Sequence, residues 1–207
     1  MSFLQSHTFT VVDIYSVLTV LGQVIALILC GVLIRESMKK TESTIGKWLR
    51  AHGLLLMFIV ALLATCGSLF YSEIAEWTPC KDCWLQRIFM YPQVVLLAIA
   101  LIRKDKNIAW YILALCVIGA IISIDHYADQ VEAALQPVPK ENGVNELIKP
   151  CDATGVSCAS TQINFAFGYI TIPMMALTAF LLNGLGSVFL LYTGKPSRGF
   201  RFFSFRK

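Results

Sequence analysis

The sequence predicts an all-α membrane protein: a four-helix transmembrane bundle preceded by one additional N-terminal transmembrane helix. Three observations carry this reading. Hydrophobic residues make up 57% of the 207 and charged ones only 14%, against about 25% charged in a soluble domain. Five apolar runs approach the ~20 helical residues needed to cross ~30 Å of hydrocarbon. The cations collect between alternate runs instead of spreading along the chain.

The runs are 14–34, 52–71, 84–102, 108–124 and 167–192. Hydrocarbon offers no water to backbone N–H and C=O groups, so each run should be helical. The first has the look of a signal peptide, but no basic residue precedes it and no small-residue cleavage site is evident. It reads as a retained helix. The third is strictly apolar only from Ile88, because its first turn carries Gln86 and Arg87. The fourth is the shortest. Pro92 and Pro173 fall inside the third and fifth runs, where a proline either kinks a helix or is merely tolerated. The chain then divides into an N-terminal helix with a basic linker (1–48), a four-helix core (49–192) and a basic tail (193–207).

Charge sets the expected topology. The loop 35–50 holds Arg35, Lys39, Lys40, Lys47 and Arg50; the turn 103–107 holds Arg103, Lys104 and Lys106; the tail holds five more. If five helices alternate, 13 of the 17 basic residues share one side. Such a bias marks the cytoplasmic side. The amino terminus is then outside, the carboxyl terminus inside, and the loops 72–83 and 125–166 face outward. The basic, aromatic tail follows an apolar run and reads as a membrane-surface segment; nothing in the chain points to nucleic acid. The second outer loop is the only long one, and long loops in compact chains are commonly functional.

The seven cysteines sort by this topology. Cys80, Cys83, Cys151 and Cys158 fall in the outer loops, while Cys30, Cys66 and Cys116 fall in apolar runs and read as small buried hydrophobes. The outer compartment is where disulfides persist. Four thiols allow three pairings, and the spacing favours two local pairs, Cys80–Cys83 and Cys151–Cys158. Cys80-Lys-Asp-Cys83 follows Pro79 at the start of a predicted helix. Partial positive charge and free amides at a helix start favour a thiolate, the reactive form of cysteine. Arg87, four residues after Cys83, shares its helix face. A cation at that depth is costly, which makes Arg87 a functional candidate, although it could instead only anchor the helix end by snorkelling. The second pair encloses Asp152 to Ser157; taken alone it would be a loop staple, but beside the first pair Cys151 and Cys158 read as a second catalytic pair, suited to meeting a protein partner and then Cys80 or Cys83.

Cys80-Lys-Asp-Cys83-Trp84-Leu-Gln86-Arg87-Ile-Phe-Met90-Tyr91-Pro92 resembles the signature of the DsbB/BdbC family of disulfide-bond formation proteins. So does Ile163-Asn164-Phe165 leading to Phe167-Gly168-Tyr-Ile-Thr171-Ile-Pro173. The resemblance covers about 49–192 and is closer to the BdbC branch. It implies a four-helix bundle with both cysteine pairs on the outer face and a quinone, ubiquinone or menaquinone, beside the first pair. It implies that Arg87 binds the quinone and, on a weaker match, that His126 lies near it. The implied partners are a soluble thioredoxin-like, DsbA-like dithiol oxidase and the membrane quinone pool, in a bacterial inner membrane. The first helix is not part of the usual core.

Three rival readings remain. Four outer cysteines could ligate zinc, but C-x2-C followed much later by C-x6-C fits loosely, so no metal is expected. A disulfide-stapled membrane adaptor would need neither Arg87 nor a reactive Cys83. A quinone reductase resembling vitamin K epoxide reductase also pairs a helical bundle with C-x-x-C, but there the motif lies late in the core, whereas here it follows the first core helix.

Overall fold

A computed structural model describes residues 2–39, 41–135, 158 and 167–192. It is an all-α membrane protein: among the described residues, five helices are long and apolar enough to cross a bilayer. They are α1 (Ser2–Lys39), α2 (Thr44–Leu69), α3 (Lys81–Arg103), α4 (Ala109–Leu135) and α5 (Ile172–Leu191). All five apolar runs became helices, but the boundaries differ: two helices run well past their apolar stretch, and α5 starts five residues inside its own. Helix α1 begins twelve residues before the first run, and α4 continues eleven residues past the fourth. The intrahelical hydrogen-bond ladder does not end where apolar sequence ends. Their outward faces carry apolar side chains, Leu21, Ile28, Val95 and Ile121 among them, as a lipid-facing surface requires.

Helix α5 is central, packing against α4, α2 and α1. Gly119 of α4 gives way to the Phe180 ring of α5, with no room for a Cβ. Deep in the bundle, Asn183 Nδ2 donates to Gln93 Oε1 at 2.9 Å, and Cys116 Sγ donates to the same oxygen at 3.6 Å. This buried amide pair joins α3 and α5 and gives the Cys116 thiol an acceptor. Cys30 and Cys66, by contrast, are exposed on the helix surfaces, not buried as the sequence suggests.

The end away from Cys80 and Cys83 is tied by one carboxylate. Glu36, fully buried, accepts from the Ser43 N–H and Oγ, each at 2.6 Å, and pairs with Arg50 at 3.3 Å. Ser43 caps α2 by accepting from Gly46 N–H at 3.0 Å. Arg50 also donates to the Tyr192 carbonyl at 3.3 Å, so the ends of α1 and α5 meet the start of α2. Lys104, in the left-handed region at φ 54°, ends α3. Pro92 lies inside α3, but Pro173 sits in the first turn of α5. There its missing N–H has no ladder partner to lose, so it starts the helix instead of kinking it.

Candidate active site

The site is assembled around the start of α3. Cys80 is the N-cap residue, with extended backbone (φ −74°, ψ 176°), and Cys83 is the third helical residue. The Cys80 N–H is satisfied by the Cys83 sulfur, which is one half of a capping box; the Cys80 side chain makes no capping bond of its own. Cys80 Sγ donates to Cys83 Sγ at 3.4 Å, so the pair stands here as a dithiol. Two residues of spacer and one helix start are enough to bring the thiols into exchange distance.

His126 completes a directed chain. Helix α4 carries it to the back of the thiol pair, where it is 1% exposed. Gln86 Nε2 donates to His126 Nδ1 at 3.2 Å, which leaves the ring proton on Nε2, 3.6 Å from Cys80 Sγ. Gln86, His126 and Cys80 therefore donate in series, and the chain ends on the Cys83 sulfur. Bonds aligned this way polarise one another in a dry site. Donation to Cys83 and burial push the Cys80 thiol up to about 12, with His126 opposing. Cys80 is the proton-holding thiol of the pair.

Cys83 and Gln86 face the other way as well, into a cavity of about 730 Å³ including its open mouth, between α2, α3 and α5. Arg87 lines it beside Cys83, one helical turn deeper. Its Nη2 donates to the Ser68 carbonyl at 3.2 Å, and its guanidinium lies 5.1 Å from the centre of the Trp84 ring. Tyr91, also lining the cavity, donates to Ser68 Oγ at 3.1 Å. The far wall is aromatic. After α2 a π-helical turn, Phe70–Ile74, swings Tyr71 inward, and Trp77 N–H donates to the Tyr71 carbonyl at 2.9 Å. That return stacks the two rings 5.2 Å apart at 9°. Such turns recur at functional sites.

Four of the six residues singled out from sequence thus converge: Cys80, Cys83, Arg87 and His126. His126 touches the thiol pair and does not line the cavity. Helix α4 runs on past it to Leu135. Cys158 is buried and close enough to Cys83 for their charges to interact. Cys151 lies outside the described residues, and so does the Cys151–Cys158 pairing. Gln86, Tyr71 and Trp77 were not singled out from the sequence; only the fold brings them to the site. The ligand atoms of Cys80, Cys83 and His126 lie within 4.8 Å of one another, which among the described residues is the one group able to hold a metal ion.

A cavity of this kind suits a flat acceptor with carbonyl oxygens. The stacked Tyr71–Trp77 pair offers an apolar face. Arg87 spends one N–H on Ser68 and has further donors in its fixed fork.

The family described as Disulfide bond formation protein DsbB matches residues 50–190. Disulfide bond formation protein C of Bacillus subtilis (strain 168) is 47% identical over 125 residues, which is 60% of this chain and 82% of that protein. Probable disulfide formation protein C of Halalkalibacterium halodurans is 37% identical over 155 residues, 74% of this chain and 96% of that protein. The SPbeta prophage-derived disulfide bond formation protein B of Bacillus subtilis is 36% identical over 142 residues, 68% and 87% of the two chains. No solved structure matches. With the cysteine pair at the head of a membrane helix and a family match over two thirds of its length, the chain belongs to the DsbB family of disulfide bond formation proteins.

Proposed function

We propose that the protein is a quinone-dependent, disulfide-generating oxidoreductase that reoxidises a thioredoxin-like partner outside the bacterial cytoplasmic membrane. The observation that carries this reading is the shared cavity: a redox-competent thiol, Cys83, and a cation, Arg87, open side by side onto a space walled by stacked aromatic rings. An adaptor stapled by disulfides has no use for that juxtaposition. The amino terminus lies outside and the carboxyl terminus inside. The bundle end carrying Arg50, Arg103 and Lys106 is then cytoplasmic, as the bias of basic residues favours. Residues 49–192 form the catalytic unit.

The relay begins at the loop pair. A thiolate of the reduced partner attacks the Cys151–Cys158 disulfide, forms a mixed disulfide and releases one loop thiolate. The partner's second thiol displaces the remaining loop cysteine and leaves as a disulfide, so two electrons and two protons have moved to the loop. The loop dithiol then reduces a Cys80–Cys83 disulfide by the same exchange. The nearness of Cys158 to Cys83 supports this contact.

The hydrogen-bond chain supports distinct roles for the two helix thiols. Cys80 holds its proton and donates it toward Cys83, so Cys83 is the thiolate that faces the acceptor. His126 steadies the Cys80 sulfur. Arg87 orients a carbonyl oxygen in the cavity. A bound quinone supplies a two-electron, two-proton acceptor whose chemistry the side chains themselves lack.

Reconstitution with a reduced thioredoxin-like protein and a soluble quinone tests the reading, with quinone absorbance and partner thiols followed together. Wild-type protein should consume one quinone per partner disulfide formed. Cys83→Ser should stop both. Normal turnover by Cys83→Ser would remove the basis of this function.

A further inference from the structure

Helix α1 lies wholly ahead of the family-matched residues 50–190, yet its docking on the bundle is specific. Against α5, Gly22 meets Thr178 and Leu182 so closely that a Cβ would come 2.9 Å from Thr178 Cγ2. Tyr169 Oη donates to Gln23 Oε1 at 2.6 Å, and Gln23 Nε2 donates to Thr178 Oγ1 at 3.4 Å. Against α2, Tyr15 Oη donates to the Leu63 carbonyl at 3.0 Å. The Tyr15 ring occupies the space a side chain at Gly67 would need: a Cβ there would stand 2.6 Å from Cε1. The same ring meets Tyr71 edge-on at 6.1 Å, and Val12 packs on Tyr71 too.

These contacts lead to the cavity. Gly67, Tyr71 and Trp77 line it, while Tyr15 stands against Gly67 and Tyr71. We propose that α1 is a working part of the acceptor cavity, with Tyr15 a positioning residue that holds the Tyr71–Trp77 wall against which a quinone ring packs. The proposal rests on the cavity being the acceptor site.

Three physical points favour it over a helix that only anchors the chain. Tyr71 hangs from a π-turn, where the regular i→i−4 ladder is interrupted. Its orientation therefore depends on contacts more than on its helix. Tyr15 is pinned at both ends, by its ring in the Gly67 notch and by its hydroxyl on a helix carbonyl. A tyrosine hydroxyl left unpartnered in hydrocarbon is costly, so the ring is held in one pose. Finally, glycine inside a helix costs about 1 kcal/mol relative to alanine. At position 67 that cost is offset by the seat it provides for Tyr15.

The test is equilibrium binding of a short-chain soluble quinone to the full-length protein in detergent, read by tryptophan fluorescence quenching, alongside KM for the reduced protein partner. Tyr15→Ala should weaken quinone binding about tenfold (~1.4 kcal/mol) and leave the partner's KM unchanged. Tyr15→Phe keeps the ring in its notch and should lose no more than about threefold, the size of one modest hydrogen bond. Gly67→Ala should displace Tyr15 and weaken binding as Tyr15→Ala does, but add little on top of it; it also decides the question alone if Tyr15→Ala does not accumulate. Such non-additivity marks two residues acting as one unit. Leu21→Ala, on the exposed face of α1, should bind like wild type. The proposal is overturned if Tyr15→Ala binds quinone normally, if the partner's KM shifts in parallel, or if the Tyr15 and Gly67 effects simply add. Wild-type protein that bound no quinone would overturn the reading of the cavity itself.

Discussion

Replacing His126 with alanine should make the Cys80–Cys83 pair a weaker oxidant by about 20 mV. The bond at stake runs from His126 Nε2 to Cys80 Sγ, 3.6 Å apart and shielded from solvent. It supports the dithiol, in which Cys80 passes its own proton toward Cys83; in the disulfide that onward donation is gone. A buried hydrogen bond is worth about 0.5–1.5 kcal/mol, so ~1 kcal/mol of reduced-state stabilisation is lost. For a two-electron couple 30 mV corresponds to about 1.4 kcal/mol, which gives the ~20 mV fall. A second cost is larger but cancels. The Gln86 amide, buried and deprived of His126 Nδ1, loses about 1–3 kcal/mol in both redox states, so it lowers stability without moving the potential. Redox titration against a thiol buffer, with alkylation to count reduced protein, measures the first effect; thermal unfolding measures the second. Gln86→Leu in the same background should restore stability and leave the potential low. A potential that stays put, or rises, would refute the directed hydrogen-bond chain.

Three further outcomes are expected. Arg87→Met should leave exchange between small thiols and the cysteine pair intact while lowering the rate of quinone reduction about tenfold to hundredfold, the loss of one charge-assisted bond; stopped-flow absorbance separates the two steps. Cys80, pushed up to about 12 chiefly by its bond to Cys83, should alkylate in the reduced protein at a rate rising about tenfold per pH unit through pH 10 with no plateau, because only the thiolate reacts. In Cys83→Ala the plateau should appear at lower pH, as peptide mass spectrometry would show. Zinc should inhibit only the reduced protein, since Cys80, Cys83 and His126 present three ligand atoms within 4.8 Å and the disulfide removes two of them; His126→Ala should weaken that inhibition, as a zinc titration of turnover would record.

The fold was legible because lipid imposes one strict rule, and the five apolar runs obey it. Their ends were not. His126 follows the fourth apolar run, and nothing in its own stretch announces that α4 continues through it and packs it behind Cys80. Cys80, Cys83 and Arg87 were legible because their relation is local: one helix start and one turn of the same face. Gln86 stood in the same stretch and carried no separate signal, because its role depends on a histidine 40 residues away. Tyr71 and Trp77 became a cavity wall through a π-turn that apolar periodicity does not announce. The first helix read as an addition to the core; only its packing brings Tyr15 to the back of that wall.

In the proposed relay, electrons leave the protein through the cavity beside Cys83 and Arg87. Photolabelling with an azido-quinone in reconstituted membranes, followed by peptide mapping, addresses it most directly. Label is expected on residues such as Met90 and Met175, which line the cavity, competed by unlabelled quinone and reduced in Arg87→Met. Competable label confined to the lipid-facing surfaces of α1 or α4 would contradict it.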